Sequence, residues 1–136
     1  MSSLAGGHVA ARLPAADLER ARAFYSQKLG LEPSEEREGG LLYRIGGCEF
    51  ALFESGGTSS GTFTQLAFEV EDIQATVAEL RERGVVFEEY DLPGLTTVDG
   101  IAEVEGEYPS KGSKGERAAW FRDSEGNMIG IGQPLR

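Results

Sequence analysis

Two stretches of this chain write the same helix in different letters. Asp17 to Gly30, DLERARAFYSQKLG, and Asp72 to Gly84, DIQATVAELRERG, each open on aspartate, turn basic near the end and stop at glycine. Leu18, Ala21, Phe24, Tyr25 and Leu29 share one face of the first; Ile73, Val77, Leu80 and the stem of Arg81 share one face of the second. That is the period of an amphipathic helix. A carboxylate at Asp17 or Asp72 accepts from orphan backbone N–H groups and sits against the positive end of the dipole, so both suit N-caps. Gly30 and Gly84 suit left-handed C-caps. A chain of 136 residues with two such helices is constrained to two copies of one supersecondary unit in a single domain, residues 1–136.

The flanking segments extend the repeat. In the first unit His8 to Leu13 reads as a strand before the helix, and Leu31 to Glu36, Leu41 to Ile45 and Cys48 to Glu54 read as strands after it. Gly46-Gly47 marks a hairpin. In the second unit Phe63 to Val70 precedes the helix, and Val85 to Tyr90, Glu116 to Arg122 and Met128 to Gly132 follow it. Both units are β-α-β-β-β: module one at 8–55, module two at 63–133, joined by the flexible connector Ser55 to Thr62. The second departs from the first through the Gly-rich segment Asp91 to Gly115, expected to be a loop bordering a cavity mouth.

A shared register sorts the side chains. His8 and Gln65 lie 57 residues apart, as do Arg12 and Glu69, whereas the helix caps lie 55 apart. On that reading module one has two extra residues, Ala15-Ala16, between strand and helix. Strand side chains alternate between faces. Val9, Ala11 and Leu13, with Leu66, Phe68 and Val70, then face the helices. His8, Ala10 and Arg12, with Gln65, Ala67 and Glu69, share the other face.

Composition narrows the function. Against 13 Lys and Arg stand 23 Asp and Glu, a net charge of −10, so phosphate-rich nucleic acid and anionic membranes are poor partners. No apolar run is long enough to span a bilayer. The start, MSSLAGGHVAARL, does not read as a signal peptide, so a cytoplasmic protein is expected. One cysteine, Cys48, excludes an internal disulfide and a cysteine-cage metal site. One histidine leaves no assembled Ser–His–Asp or Cys–His arrangement.

The paired units, the motif DLERARAFY…LGL, and WFRDSEGN before the last strand together resemble the vicinal oxygen chelate superfamily: the glyoxalase, bleomycin-resistance protein and extradiol dioxygenase group. The resemblance covers His8 to Gln133. It implies an α+β fold of two β-α-β-β-β modules with sheets curled around a shared cavity. In enzymes of the group a divalent metal sits there, held by the first and last strands of each module. The matching positions are His8, Ala51, Gln65 and Gly130. Two of the four cannot coordinate, and both lack the carboxylate that would neutralise a dication. The resemblance therefore implies no bound metal or other cofactor, and a homodimer that binds a small-molecule ligand without chemistry. The alternative it leaves open is a glyoxalase- or dioxygenase-like metalloenzyme with a reduced site at His8 and Gln65.

The candidate ligand-binding residues are His8, Arg12, Phe53, Gln65, Glu69 and Trp120. His8 is either a polar residue at a strand start or an acid/base group. Gln65 is a candidate ligand-orienting amide. Arg12 and Glu69 are either one internal ion pair or an anion-holding arginine with its neighbour. Phe53 and Trp120 are core aromatics or cavity walls. Lys111, Lys114 and Arg117 form a basic spot that is a solvated loop or an anion clamp.

Overall fold

Both helices form where the repeat predicts. In the computed structural model, which describes residues 3–105 and 114–135, α1 spans Leu18–Leu29 and α2 spans Ile73–Glu82. Asp17 accepts from Arg20 N and Asp72 from Ala75 N. Gly30 ends α1 at φ 71°, a left-handed cap whose N–H reaches Ser26 O.

The strands divide into two sheets. β1 (Ala11–Ala15), β2 (Glu35–Arg37), β3 (Gly40–Ile45) and β4 (Cys48–Glu54) form one, in the order β1-β4-β3-β2. β5 (Thr64–Glu69), β6 (Asp91–Leu92), β7 (Leu95–Val98), β8 (Ile101–Glu105), β9 (Gly115–Arg122) and β10 (Met128–Leu135) form the other, in the order β5-β10-β9-β8-β7-β6. The fold is mixed α+β, and neither sheet closes into a barrel. No helix among the described residues is long and apolar enough to cross a membrane.

One core lies between the sheets. Leu13, Ala15, Tyr43, Phe50 and Leu52 supply it from the first sheet; Ala119, Phe121, Ile129 and Ile131 supply it from the second. α1 packs on β4, and α2 on β9 and β10. Aromatic contacts bridge the modules: Phe50 meets Phe68 edge-on at 6.1 Å, and Phe24 stacks on Phe121 at 6.5 Å.

Three expectations need correction. β1 does not run from His8 to Leu13; it starts at Ala11 and continues through Pro14 to Ala15. A proline lacks the ladder N–H, but β1 is an edge strand, where that loss is tolerated. Ala15-Ala16 are therefore not an inserted turn. Ala11, Leu13 and Ala15 match Leu66, Phe68 and Val70, and the 55-residue offset of the helix caps holds through the first strands as well. Second, Val85 to Tyr90 is not a strand; within it Phe87 makes one bridge, to Phe121. Third, the described residues of the segment Asp91 to Gly115 are mostly sheet, and its residues 106–113 lie outside the described ones. Asp99 and Gly100 both have positive φ, 54° and 81°, and turn β7 into β8 as a two-residue hairpin.

Candidate functional site

The helix-free face of the six-stranded sheet carries a hollow of about 520 Å3. Its floor is low because Ala67, Ala118 and Gly130 present little or no side chain there. Its wall is Trp120. The indole N–H donates to Thr64 Oγ1 at 3.1 Å, and the Tyr90 ring meets the indole edge-on at 5.6 Å, so the wall is held from two sides. A Cβ at Gly130 would lie 3.2 Å from Thr64 Cγ2 and 3.6 Å from Trp120 Cδ1, so glycine keeps the floor clear. Glu105 and Glu116 also line the hollow. The Glu116 carboxyl lies back over Gly132, where any Cβ would collide with it.

The four-stranded sheet carries its own hollow, about 290 Å3, lined by Arg12, Glu38, Leu42, Ala51 and Phe53 among others. It shares no lining residue with the first.

The sequence candidates fall apart accordingly. Gln65 and Trp120 line the larger hollow; Arg12 and Phe53 line the smaller. His8 is exposed, precedes β1 and lines neither. Glu69 sits at the end of β5, exposed, and lines neither. Arg12 is exposed too, so Arg12 and Glu69 do not form the internal pair the shared register implied. Lys111 lies outside the described residues, and Arg117 is paired with Glu103 at 3.1 Å.

Gln65 has a second commitment. Its amide N–H donates to Asn127 Oδ1 at 3.1 Å, and its carbonyl oxygen accepts from Met128 N at 3.2 Å and from the Ser59 hydroxyl. Asn127 belongs to a buried network that the sequence motif DSEGN signalled only as a turn. Asp123, 6% exposed, accepts from Tyr25 OH at 2.7 Å, from Asn127 Nδ2 at 3.0 Å, and from the backbone N–H groups of Glu125 and Asn127 at 2.9 Å each. Asn127 Nδ2 also donates to Pro14 O. Next to it Glu125 receives the Arg20 guanidinium at 2.8 and 3.0 Å and the Asp17 N–H at 3.0 Å. The Arg20 hydrogen bond outweighs burial and holds the Glu125 carboxyl down to about 2. Burial, reinforced by Asp123, pushes the Tyr25 phenol well above its ordinary value. One turn of module two thus grips the start of α1, the middle of α1 and β1, and positions the end of Gln65.

A catalytic dication does not fit these donors. The open-face positions in register are Arg12 with Ala51, and Ala67 with Gly130. They offer a guanidinium, two methyl groups and a hydrogen atom. The Gln65 carbonyl is already engaged. Among the described residues no three His, Cys, Asp or Glu side chains are grouped to hold an ion.

The family model for the Glyoxalase/Bleomycin resistance protein/Dioxygenase superfamily matches residues 7–131. No curated protein matches. Among solved structures, a glyoxalase/bleomycin resistance protein/dioxygenase from Alicyclobacillus acidocaldarius is similar at TM-score 0.68 and 14% identity, over 96% of this chain and 92% of that one. A virulence protein from Salmonella typhimurium is similar at TM-score 0.65 and 19% identity, over 95% and 98%. An antibiotic binding protein from Streptomyces sp. CB03234 is similar at TM-score 0.60 and 24% identity, over 94% and 96%. At these identities the likeness is one of fold.

Proposed function

Since the chain belongs to the Glyoxalase/Bleomycin resistance protein/Dioxygenase superfamily, we propose that it is a small-molecule-binding member working without a catalytic metal, with its ligand seated in the Trp120 hollow. One observation carries the reading. The tryptophan stands over a floor of Ala67, Ala118 and Gly130, of which Ala67 and Gly130 hold the in-register positions where a metal site would need donors. Such a floor accepts a flat apolar group against the indole face. Glu105 and Glu116 favour a ligand bearing positive charge, as does the net charge of −10. The fold likeness to an antibiotic binding protein is consistent with this use.

The same reading includes a homodimer. A hollow on one sheet face leaves a bound molecule open to water, whereas small-molecule sites bury about 70–90% of a ligand. A second copy laid over the open face supplies the missing enclosure. Sedimentation velocity should give a dimer at micromolar concentration.

Trp120 is the one tryptophan of the chain, so its emission reports on the hollow directly. Purified protein is titrated with cationic, neutral and anionic aromatic antibiotics, metal-free bleomycin among them. Saturable quenching by a member of the panel, absent in a Gly130→Leu variant that fills the floor, is expected. Quenching that never saturates, or that survives Gly130→Leu, rules the hollow out as the binding site.

A further inference from the structure

Behind the Trp120 hollow, on the core side of β5 and β10, the two modules do not fully close on one another. A crevice of about 140 Å3 remains. Leu31 and Ile45 wall it from module one; Phe68, Val70 and Leu80 wall it from module two. Leu31, Ile45, Phe68 and Val70 pack against the core yet stay half-buried, because the crevice opens to solvent. Its volume is close to that of an apolar cavity that takes up a benzene-sized molecule, about 150 Å3.

We propose that this crevice is a second ligand site, separate from the hollow, for a neutral single-ring or short-alkyl group. The size selects one ring. The walls select an apolar one. Two polar side chains also line the space and shape what the far end of the ligand can carry. The Thr76 hydroxyl donates to Asp72 O at 3.0 Å, which leaves its lone pairs free to accept from a ligand hydroxyl. Glu79 is exposed, and its carboxylate repels an anionic head group. Ile131 of β10 lines both the crevice and the hollow, so one strand separates the two sites. A ligand between the modules touches both and favours the closed pair over any opened form.

The test uses the full chain with methyl-labelled Ile, Leu and Val, titrated with toluene and, separately, with benzoate. Toluene should move the methyl signals of Ile45, Val70 and Leu80 saturably and show intermolecular NOEs to them. Benzoate should move them at least tenfold less at equal concentration. Ile45→Phe and Val70→Phe fill the crevice from opposite walls, and either should abolish the toluene shifts. Absence of NOEs to these methyls in the parent overturns the proposal, and so does toluene binding that persists undiminished in a folded filling variant. Equal binding of benzoate overturns the assigned ligand class.

Discussion

The two modules set the same four strands in the same order, β1-β4-β3-β2 in one and β5-β10-β9-β8 in the other. They part at their closing turns and at their far edges. Module one joins β3 to β4 through Gly46-Gly47, where an added Cβ would meet nothing within 4 Å. Module two joins β9 to β10 through the turn whose Asp123, Glu125 and Asn127 hold Tyr25, Arg20 and Pro14 of the other module. Module one ends at β2, whereas module two continues past β8 into β7 and β6 and leaves a groove of about 1020 Å3 beside α2. The copy that grips its neighbour also has the larger hollow. In a duplicated fold the halves need not share the work equally, and here both intermodule adhesion and the candidate site fall to the second.

The sharpest way to break that asymmetry is Asp123→Ala. It removes the acceptor of four hydrogen bonds and strands two buried side-chain donors. Lost bonds to a charged group cost about 1.5–3 kcal/mol each and compensate only in part, so a loss of about 4 kcal/mol in urea unfolding is expected. A cost under about 1 kcal/mol would show that the modules cohere through the apolar core alone.

Next come two glycines in two-residue hairpins, one in each module. Gly46 and Gly100 both have positive φ, 57° and 81°. A Cβ at Gly46 points into open space, while one at Gly100 would lie 2.9 Å from Arg81 Nη2 and 3.1 Å from Phe87 Cβ. Gly46→Ala should cost about 1 kcal/mol, the backbone strain alone. Gly100→Ala should cost about 2 kcal/mol, since Phe87 cannot give way without disturbing its edge-on contact with Phe121. Equal costs would place the β7–β8 turn in open space as well.

These hairpins also show where the sequence was readable and where it was not. Both helices were legible because cap, period and stop lie within one short stretch. The strand register was not, because Pro14 reads as a strand end, and its tolerance depends on β1 being at an edge. The β7–β8 pair was hidden because Gly94 and Gly100 read as loop composition, although Asp99-Gly100 is a hairpin signal. Strand alternation puts Gln65 on the open face and residue type makes Trp120 a wall candidate, and both line the larger hollow. The network around Asp123 could not, since Tyr25 lies 98 residues from Asp123 and Pro14 lies 113 from Asn127. Nothing local marks those partners. His8 was singled out by residue type, and the backbone takes it off the strand.

Acid should loosen the same clamp. The folded Glu125 carboxyl titrates at about 2, below its ordinary 4.5. A depressed carboxylate stabilises the fold above its unfolded value and loses that contribution as pH falls through the folded one. The parent should therefore lose about 1–2 kcal/mol between pH 4.5 and 2 that Glu125→Gln does not lose; the half-exposed Arg20 keeps the figure modest. Parallel pH profiles for the two would mean that the Arg20 contact is without weight.

Two neighbouring tyrosines make a finer comparison. The Tyr25 and Tyr43 rings lie 5.6 Å apart. Tyr25 donates to Asp123, whereas the buried Tyr43 hydroxyl has no hydrogen-bond partner, and burial pushes its phenol up to about 12. Tyr25→Phe should cost about 1–2 kcal/mol, and Tyr43→Phe should be neutral or slightly stabilising, because it removes an unsatisfied polar group. A matching loss at Tyr43 would point to a bound water there.

The smallest change makes module two resemble module one at its floor. Ala51 faces Arg12 in one sheet as Gly130 faces Ala67 in the other. Gly130→Ala therefore supplies the methyl that module one already has. The Gly130 backbone is not left-handed, so no φ strain arises. Replacing glycine reduces the freedom of the unfolded chain and favours folding by about 0.4–1 kcal/mol. Against that, the methyl would sit 3.2 Å from Thr64 Cγ2, and Thr64 can yield only by loosening its hold on the Trp120 N–H. The two effects nearly cancel, and unfolding stability should stay within about 0.5 kcal/mol of the parent. Ligand affinity should not be spared. The methyl takes volume from the hollow and frees the indole that walls it, so quenching titrations should show binding weakened about tenfold, roughly 1.4 kcal/mol. Ala51→Gly, the reverse exchange in module one, should leave affinity unchanged. Equal responses to the two substitutions would mean that a ligand engages both sheets, and the division of labour between the modules would fail at the site while surviving at the turn.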